Sequence, residues 1–479
     1  MRRPAAVLLL VPLCAAAAPT TRESRMILDA LPWPTVFELD VGQSVEIQRR
    51  AGERVVGRTV KLLAIEEELE PDQHVAGNER RATHRCAKVL VDVSGQQATL
   101  LHRAYQFPVI VNGLRLYVET TRRWAQHAQY DRLDNVRGDV RLSAVAEGQT
   151  WGPADVGFPI AGYRWRSSPY NNTWDALVPY NKLYYHHGED YGAWPDRLHV
   201  LSPQAGKVIA SPLPDGDGRS NALAIESAGG AVWRLAHMNI ESVDRGLTLG
   251  ASVSAGQKLA QTGCTWSGRR SQHADPHLHT GLTVGGVRLS HYPTSVEAYL
   301  RMYPDSVLAV AGGYLFATVG DEVELDATRS VARPGRRIVS YQWKLHDGAT
   351  CDKALARVRC GKAGLFAEEL TVRADDGSED RDHVQLRVWD PAHRGGVAFG
   401  WAYHSPVRGL KAGQEVRLWN RLTGTTGPAI VDLGDGSPPR KIDDQTTHVY
   451  GKSGLYIVTF ESTGPASQRA VVKMKIVVE

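Results

Sequence analysis

Residues 186–190 read HHGED and residues 277–279 read HLH. In an extended strand, side chains at i, i+2 and i+4 project from the same face. That spacing sets His186 and Asp190 on one face, with Gly188 between them. A glycine there has no side chain to hold the flanking imidazole and carboxylate apart. His277 and His279 share a face in the same way, with Leu278 turned to the other. A third stretch, GGAVWRLAHMN, ends a strand-like run in His237. Imidazole and carboxylate are two of the ligand types that zinc accepts, so four histidines and one aspartate in three short stretches point to a metal site. The chain holds 17 histidines, so isolated pairs arise by chance and HxH alone says little. The order of the three stretches within one β-rich block is the stronger signal.

HxGxD, a strand ending in aliphatic-Ala-His, and HLH, all in a Gly-rich block, resemble the lysostaphin-like (LytM-type) zinc metallopeptidases. The connecting segments LHVLSPQAGKVIA (198–210) and VDRGLTLGASVSAGQKLAQTG (243–263) resemble the family's strand after the first ligands and its later spacer, and the resemblance covers about residues 180–290. It implies that His186, Asp190 and His279 hold Zn2+, and that His277 and His237 stand beside a zinc-bound water. One of those two would be the general base and the other would stabilise the oxyanion, in an order the sequence leaves open. His187 takes the variable position and is expected to point away. Three protein ligands leave a fourth position for water, whose pKa zinc lowers to about 7. No HExxH helix is present, so a glutamate base on a helix is not expected.

The chain departs from the family after HLH, where Thr280-Gly281 replaces the usual Phe and acidic residue. The segment CTWSGRRSQHADP (264–276) is longer and more basic than in relatives, and Trp266, Arg269 and Arg270 are expected along the substrate cleft. Tyr184, Tyr185 and Trp174 are further candidates for substrate contact, with core packing expected for at least one of these aromatics. His273 is expected in solvent.

The elements that must position these residues read as strands. Helical periodicity is scarce, and short β-branched runs are broken by Gly, Pro, Asp and Asn, which gives an all-β, multidomain chain. A length of 479 residues exceeds one hydrophobic core. The expected divisions are a signal peptide at 1–18, an N-terminal β-rich domain of unknown role at 26–150, and the metallopeptidase domain at 151–305. Two immunoglobulin-like β-sandwiches resembling PKD domains follow at 306–392 and 400–479, with DPAHRGG (390–396) as their linker. Trp343 is the expected core aromatic of the first sandwich, and His448 a turn residue of the second.

The N-terminus carries Arg2 and Arg3, a short apolar run and small residues at Ala15 and Ala17, the pattern of a secretory signal. Secreted, periplasmic or cell-surface placement follows as an expectation. Export makes a disulfide between Cys351 and Cys360 plausible, while Cys86 and Cys264 pair or stay apart with equal support. A net charge of +4, with no clustered basic stripe, gives no reason to expect nucleic acid. No run of about 18 apolar residues follows the leader to span a membrane.

The leading expectation is a secreted zinc metalloendopeptidase acting on peptidoglycan cross-bridges. Two alternatives stay open: an endopeptidase for Gly-rich extracellular protein, and a catalytically weak zinc-binding regulator or binding protein of the cell wall. The PKD-like domains would bind polysaccharide or protein, and residues 26–150 would recognise substrate or cover the site.

Overall fold

The computed structural model describes residues 24–27, 33–51, 54–71, 82–128, 135–168, 172–179, 183–193, 198–266, 268–270, 276–390, 392 and 396–479. The expected signal peptide, His273 and most of the 390–396 linker lie outside these residues. The chain is a multidomain all-β protein with two short α-helices, Arg122–His127 and Tyr292–Met302, among the described residues. No helix among them is long and apolar enough to cross a membrane.

Alternation builds the central sheet. In His277–Val284, the residues Leu278, Thr280, Leu282 and Val284 are buried, and His279, Gly281 and Thr283 turn to the opposite, more open face. In Ala231–Ala236, Trp233 and Leu235 go inward while Arg234 is exposed. The sheet runs Glu189–Gly192, His277–Val284, Ala231–Ala236, Leu223–Ser227, Gly206–Ala210, Ser252–Val253, with Val287–Leu289 paired as a hairpin to His277–Val284. Neighbours are antiparallel throughout. Leu278, Leu235, Ile225 and Val208 form one core with Val296, Tyr299 and Leu300 of the helix Tyr292–Met302.

The N-terminal block encloses its own apolar core between a five-stranded and a four-stranded sheet. It docks behind the central sheet: Trp33 lies 5.9 Å from Trp233, Tyr117 Oη donates to Ser290 Oγ, and the Glu119 carboxylate accepts the Ser290 N–H at 2.8 Å. It also grips the segment leading to the first histidine motif. Tyr185 Oη bonds the backbone of His84, and His102 meets Asp175 at 2.5 Å. These contacts lie on the apolar face of the sheet and on the 172–185 segment, so they brace the site from behind.

Two β-sandwiches complete the chain. Trp343 is fully buried in the first core, as expected. His448, expected at a turn of the second, lies instead within the strand Gln445–Val449, paired with Val416, and meets Asp435 at 2.7 Å. Each sandwich keeps its own apolar core, and a short parallel contact joins them. Gly364–Ala374 and Arg469–Val478 pair in parallel at Gly364↔Arg469 and Leu365↔Ala470, merging both into one nine-stranded sheet. Gly364 permits this junction, because a Cβ there would lie 2.6 Å from the Arg469 carbonyl.

The expected Cys351–Cys360 bond is absent, and no disulfide joins Cys86 or Cys264 either. Cys351 Sγ lies near the Leu355 carbonyl, at one end of Leu355–Arg359, and Cys360 follows the other end. A five-residue strand separates its ends by about 13 Å at 3.3 Å per residue, beyond the reach of a disulfide.

Three arginines fasten the sandwiches to the central domain. Arg164 bridges Asp305 and Glu479, and Arg408 reaches Asp305, the Tyr299 hydroxyl and the Tyr163 carbonyl. Arg166 is buried, with Nε at 2.6 Å from Asp382 Oδ2 and Nη2 on the Gly312 carbonyl. Removing one partner of a buried ion pair costs about 3–5 kcal/mol, because the other charge is left uncompensated. Asp382→Ala should therefore lower unfolding stability by about that amount in a denaturant titration of the full chain. A loss under about 1 kcal/mol would show that this clamp is not coupled to folding.

Candidate metal centre

The residues of HHGED do not form one continuous strand. Leu183–Tyr185 ends before His186, and Glu189–Gly192 begins after Gly188. A bend at Gly188, with φ of 139°, brings His186 and Asp190 together, rather than the pleat expected from spacing. The bend packs against the neighbouring strand so closely that a Cβ on Gly188 would lie 2.2 Å from the Thr280 carbonyl oxygen and 2.9 Å from His279 Cε1. Only glycine fits there.

Asp190 pairs in register with His279, and His279 with Ala236. His279 Nδ1 lies 2.9 Å from Asp190 Oδ1 and 3.1 Å from His186 Nε2, and His186 Nε2 lies 3.0 Å from Asp190 Oδ2. The ligand atoms of all three residues fall within 4.8 Å of one another. A tetrahedral zinc with bonds of about 2.0–2.1 Å has donor atoms about 3.3 Å apart, so this triangle is close to what such an ion needs. Two imidazoles and a carboxylate also match the zinc donor set.

Electrostatics favours the same use. Burial alone would raise the Asp190 carboxyl, but His186, His277 and His279 outweigh it and hold the group well below the usual carboxylate range. Burial pushes His279 down to about 4 against the pull of Asp190, so the ring is neutral near pH 7, the form in which imidazole binds a metal. Asn172 donates from Nδ2 to Asp190 Oδ2 at 2.9 Å, and its carbonyl accepts the Asp190 N–H at 2.8 Å. This positioning residue escaped the sequence reading. It lies 18 residues before its partner in an irregular segment, where no periodicity marks it.

The two expected catalytic histidines flank the triangle. His277 is buried with Nε2 at 3.7 Å from Asp190 Oδ1. His237 ends its strand at a φ of 66°, and its ring centroid lies 4.7 Å from that of His277. Its Nδ1 is 2.8 Å from the Thr265 carbonyl, and burial, followed by His277 and His279, holds its imidazole well below its usual pKa. A carbonyl only accepts, so neutral His237 carries its proton on Nδ1 and presents an unprotonated Nε2.

The four expected substrate contacts separate, and Tyr185 is buried beside Trp124 with its hydroxyl on the His84 backbone. Trp266 stacks on His237 at 4.1 Å yet stays 41% exposed, on the short hairpin Thr265–Trp266 with Arg269–Arg270. Trp174 is buried among Trp124, Tyr185 and Val136, so it is a core residue and not a substrate contact; its apolar bulk faces the N-terminal block. Tyr184 is half-buried on Leu183–Tyr185, opposite Val178. His187 points away from the triangle, edge-on to Trp174 at 6.0 Å.

Residues 307–388 match the PKD domain family. No curated protein matches the chain. Among solved structures, one assigned as a glycyl-glycine endopeptidase lytM from Ruminococcus gnavus is 22% identical at a TM-score of 0.23, over 29% of this chain and 59% of that one. The PKD domain of the KIAA 1837 protein is 21% identical at a TM-score of 0.15, over 18% of this chain and 91% of its own. SGBP-B of the Bacteroides ovatus mixed-linkage glucan utilization locus, solved with a heptasaccharide, is 12% identical at a TM-score of 0.15, over 36% of this chain and 47% of its own. Each likeness is confined to part of the chain.

The close approach at Gly188 makes a prediction. Gly188→Ala must push the Thr280 carbonyl and the His279 ring aside, and with them one of the three donors. After dialysis against zinc-free buffer, metal analysis should find about one zinc per wild-type chain and less than about a third of that in the variant. Equal zinc in both would show that the bend does not set the donor geometry.

Proposed function

We propose that this chain is an exported zinc metalloendopeptidase that hydrolyses peptide bonds in peptidoglycan cross-bridges. The observation that carries the reading is the convergence of His186, Asp190 and His279 beside two further histidines, His237 and His277, on the open face of the central sheet. A zinc ion held by the first three would polarise the scissile carbonyl and make a water acidic enough to yield a nucleophile near neutral pH.

The protein's own groups then divide the work. His237 Nε2 accepts the proton from the attacking water, since Nδ1 is committed to Thr265, and returns it to the leaving amine. His277, on the strand beside His279, donates toward the oxyanion. Asn172 keeps the Asp190 carboxylate turned toward the two imidazoles. The Trp266 indole shields His237 from bulk water on one side and offers an exposed face to the peptide. The PKD domain and the sandwich joined to it would hold insoluble polysaccharide or protein near the site, raising local concentration without touching the transition state.

Zinc-loaded protein incubated with purified sacculi should release peptide ends identifiable by mass spectrometry. His279→Ala should lose the metal and this activity together. His237→Ala and His277→Ala should keep about one zinc and lose on the order of 10²–10⁴ in rate, the usual worth of a general acid–base or oxyanion group. Intact sacculi after incubation with zinc-loaded wild type, or near-normal turnover in both of the last two variants, would contradict the assignment.

A further inference from the structure

Two residues along the strand from His279, the open face of the sheet turns from histidine to arginine. The register fixes the layout. Asp190, His279 and Ala236 form one row, and Gly281, Arg234 and Ala224 the next. Arg288 follows opposite Thr283 on the hairpin strand. Neighbouring strands about 4.8 Å apart and two residues of about 3.4 Å put the Cα of Arg234 about 8 Å from that of His279. Between them the floor holds small groups, Ala236 and Gly281, and the small Ala224 lies on the far side of Arg234. This is a shallow track with the candidate metal centre at one end and a guanidinium at the other.

Arg234 is held toward the site. Its Nη2 donates to Ser220 Oγ at 2.9 Å, and the Ser220 carbonyl accepts the His237 N–H at 2.6 Å. The loop that carries Ser220 also brings Arg219, and that loop abuts the Trp266 hairpin through Gly218 and Gly268. Arg219, Arg234 and Arg288 make no ion pair among the described residues. The nearest carboxylate, Asp217, is spent on the backbone N–H groups of Arg219, Asn221 and Ala222 at 2.8–2.9 Å. Glu226 is on the same face of the neighbouring strand, opposite Val232, and forms no ion pair with Arg234. Although part of its side chain reaches solvent, desolvation against the sheet lowers the pKa of Arg234, Asp217 opposes this, and the like charges of Arg288 and Arg219 add to it. Three like charges gathered beside a catalytic track, short of anions, are poised to receive one.

We propose that Arg234, backed by Arg219 and Arg288, reads a free carboxylate on the substrate, so that the cleft takes an acidic peptide with its carboxylate about two or three residues from the scissile bond. The spacing follows from the register, since an extended peptide advances about 3.3 Å per residue. Arg234 is a specificity-determining residue in this account and takes no part in bond cleavage. The inference rests on the peptidase reading of the site.

The test uses one cross-linked peptide in two forms, with its side-chain carboxylates free or amidated, and the zinc-loaded full chain. Binding is measured by calorimetry and cleavage by kcat/KM. The wild type should favour the free acid about tenfold in both, with a preference that fades as salt screens the charges. Arg234→Gln should reduce that ratio below about threefold, mainly through KM, and Arg234→Lys should restore part of it. Equal binding of the two forms by wild type, or a ratio unchanged in Arg234→Gln, overturns the proposal. Cleavage of both forms at equal rates overturns it while leaving the peptidase reading intact. Tenfold tighter binding of the acid that Arg234→Gln abolishes, with neither form cleaved, supports the anion site and overturns the peptidase reading.

Discussion

The packing of Gly188 against the Thr280 carbonyl is the contact on which the candidate metal centre depends. Two strands cannot approach so closely with a Cβ between them. The approach lets the chain bend between His186 and Asp190 and still pair Asp190 with His279 in register. Three donors from two distant stretches thereby meet at about 3 Å. Everything else near the site holds that geometry still. Asn172 secures Asp190 from one side, Thr265 secures His237 from the other, and a dry core of Leu278, Leu235 and Ile225 backs the sheet.

The remainder of the chain stiffens this centre more than it decorates it. The N-terminal block fixes the segment before His186 through His102, His84 and Tyr185. Arg164, Arg166 and Arg408 tie the C-terminal sandwiches to the helix end and to the loop that follows the N-terminal block. Charges buried this way seldom add much net stability, but they are costly to break singly, so they fix one arrangement of the modules. A preorganised site gains from this, because a catalytic group displaced by about 1 Å loses much of its effect.

The five residues around the candidate centre were legible in the sequence because their chemistry is rare and their spacing regular. The path between them was not. Pleating predicts a shared face for His186 and Asp190, and the outcome is right, but a glycine bend produces it. Trp343 was readable as a core residue from the sandwich pattern, whereas Trp174 and Trp266 were indistinguishable. Their exposure depends on a third element, the N-terminal block in one case and the open sheet face in the other. The merged nine-stranded sheet was hidden for a similar reason: a two-residue parallel contact between segments a hundred residues apart leaves no periodicity. Arg234 likewise reads as an ordinary polar position of an alternating strand until the register places it beside His279.

The most direct test of the account is a crystal structure of the zinc-soaked protein with anomalous data at the zinc edge. One strong peak is expected within about 2.2 Å of His186 Nε2, His279 Nδ1 and an Asp190 carboxylate oxygen. His237 and His277 should lie outside bonding distance of it, with Trp266 still stacked on His237. A peak ligated by His237 or His277 in place of these donors, or no peak at this site at saturating zinc, would contradict the central claim.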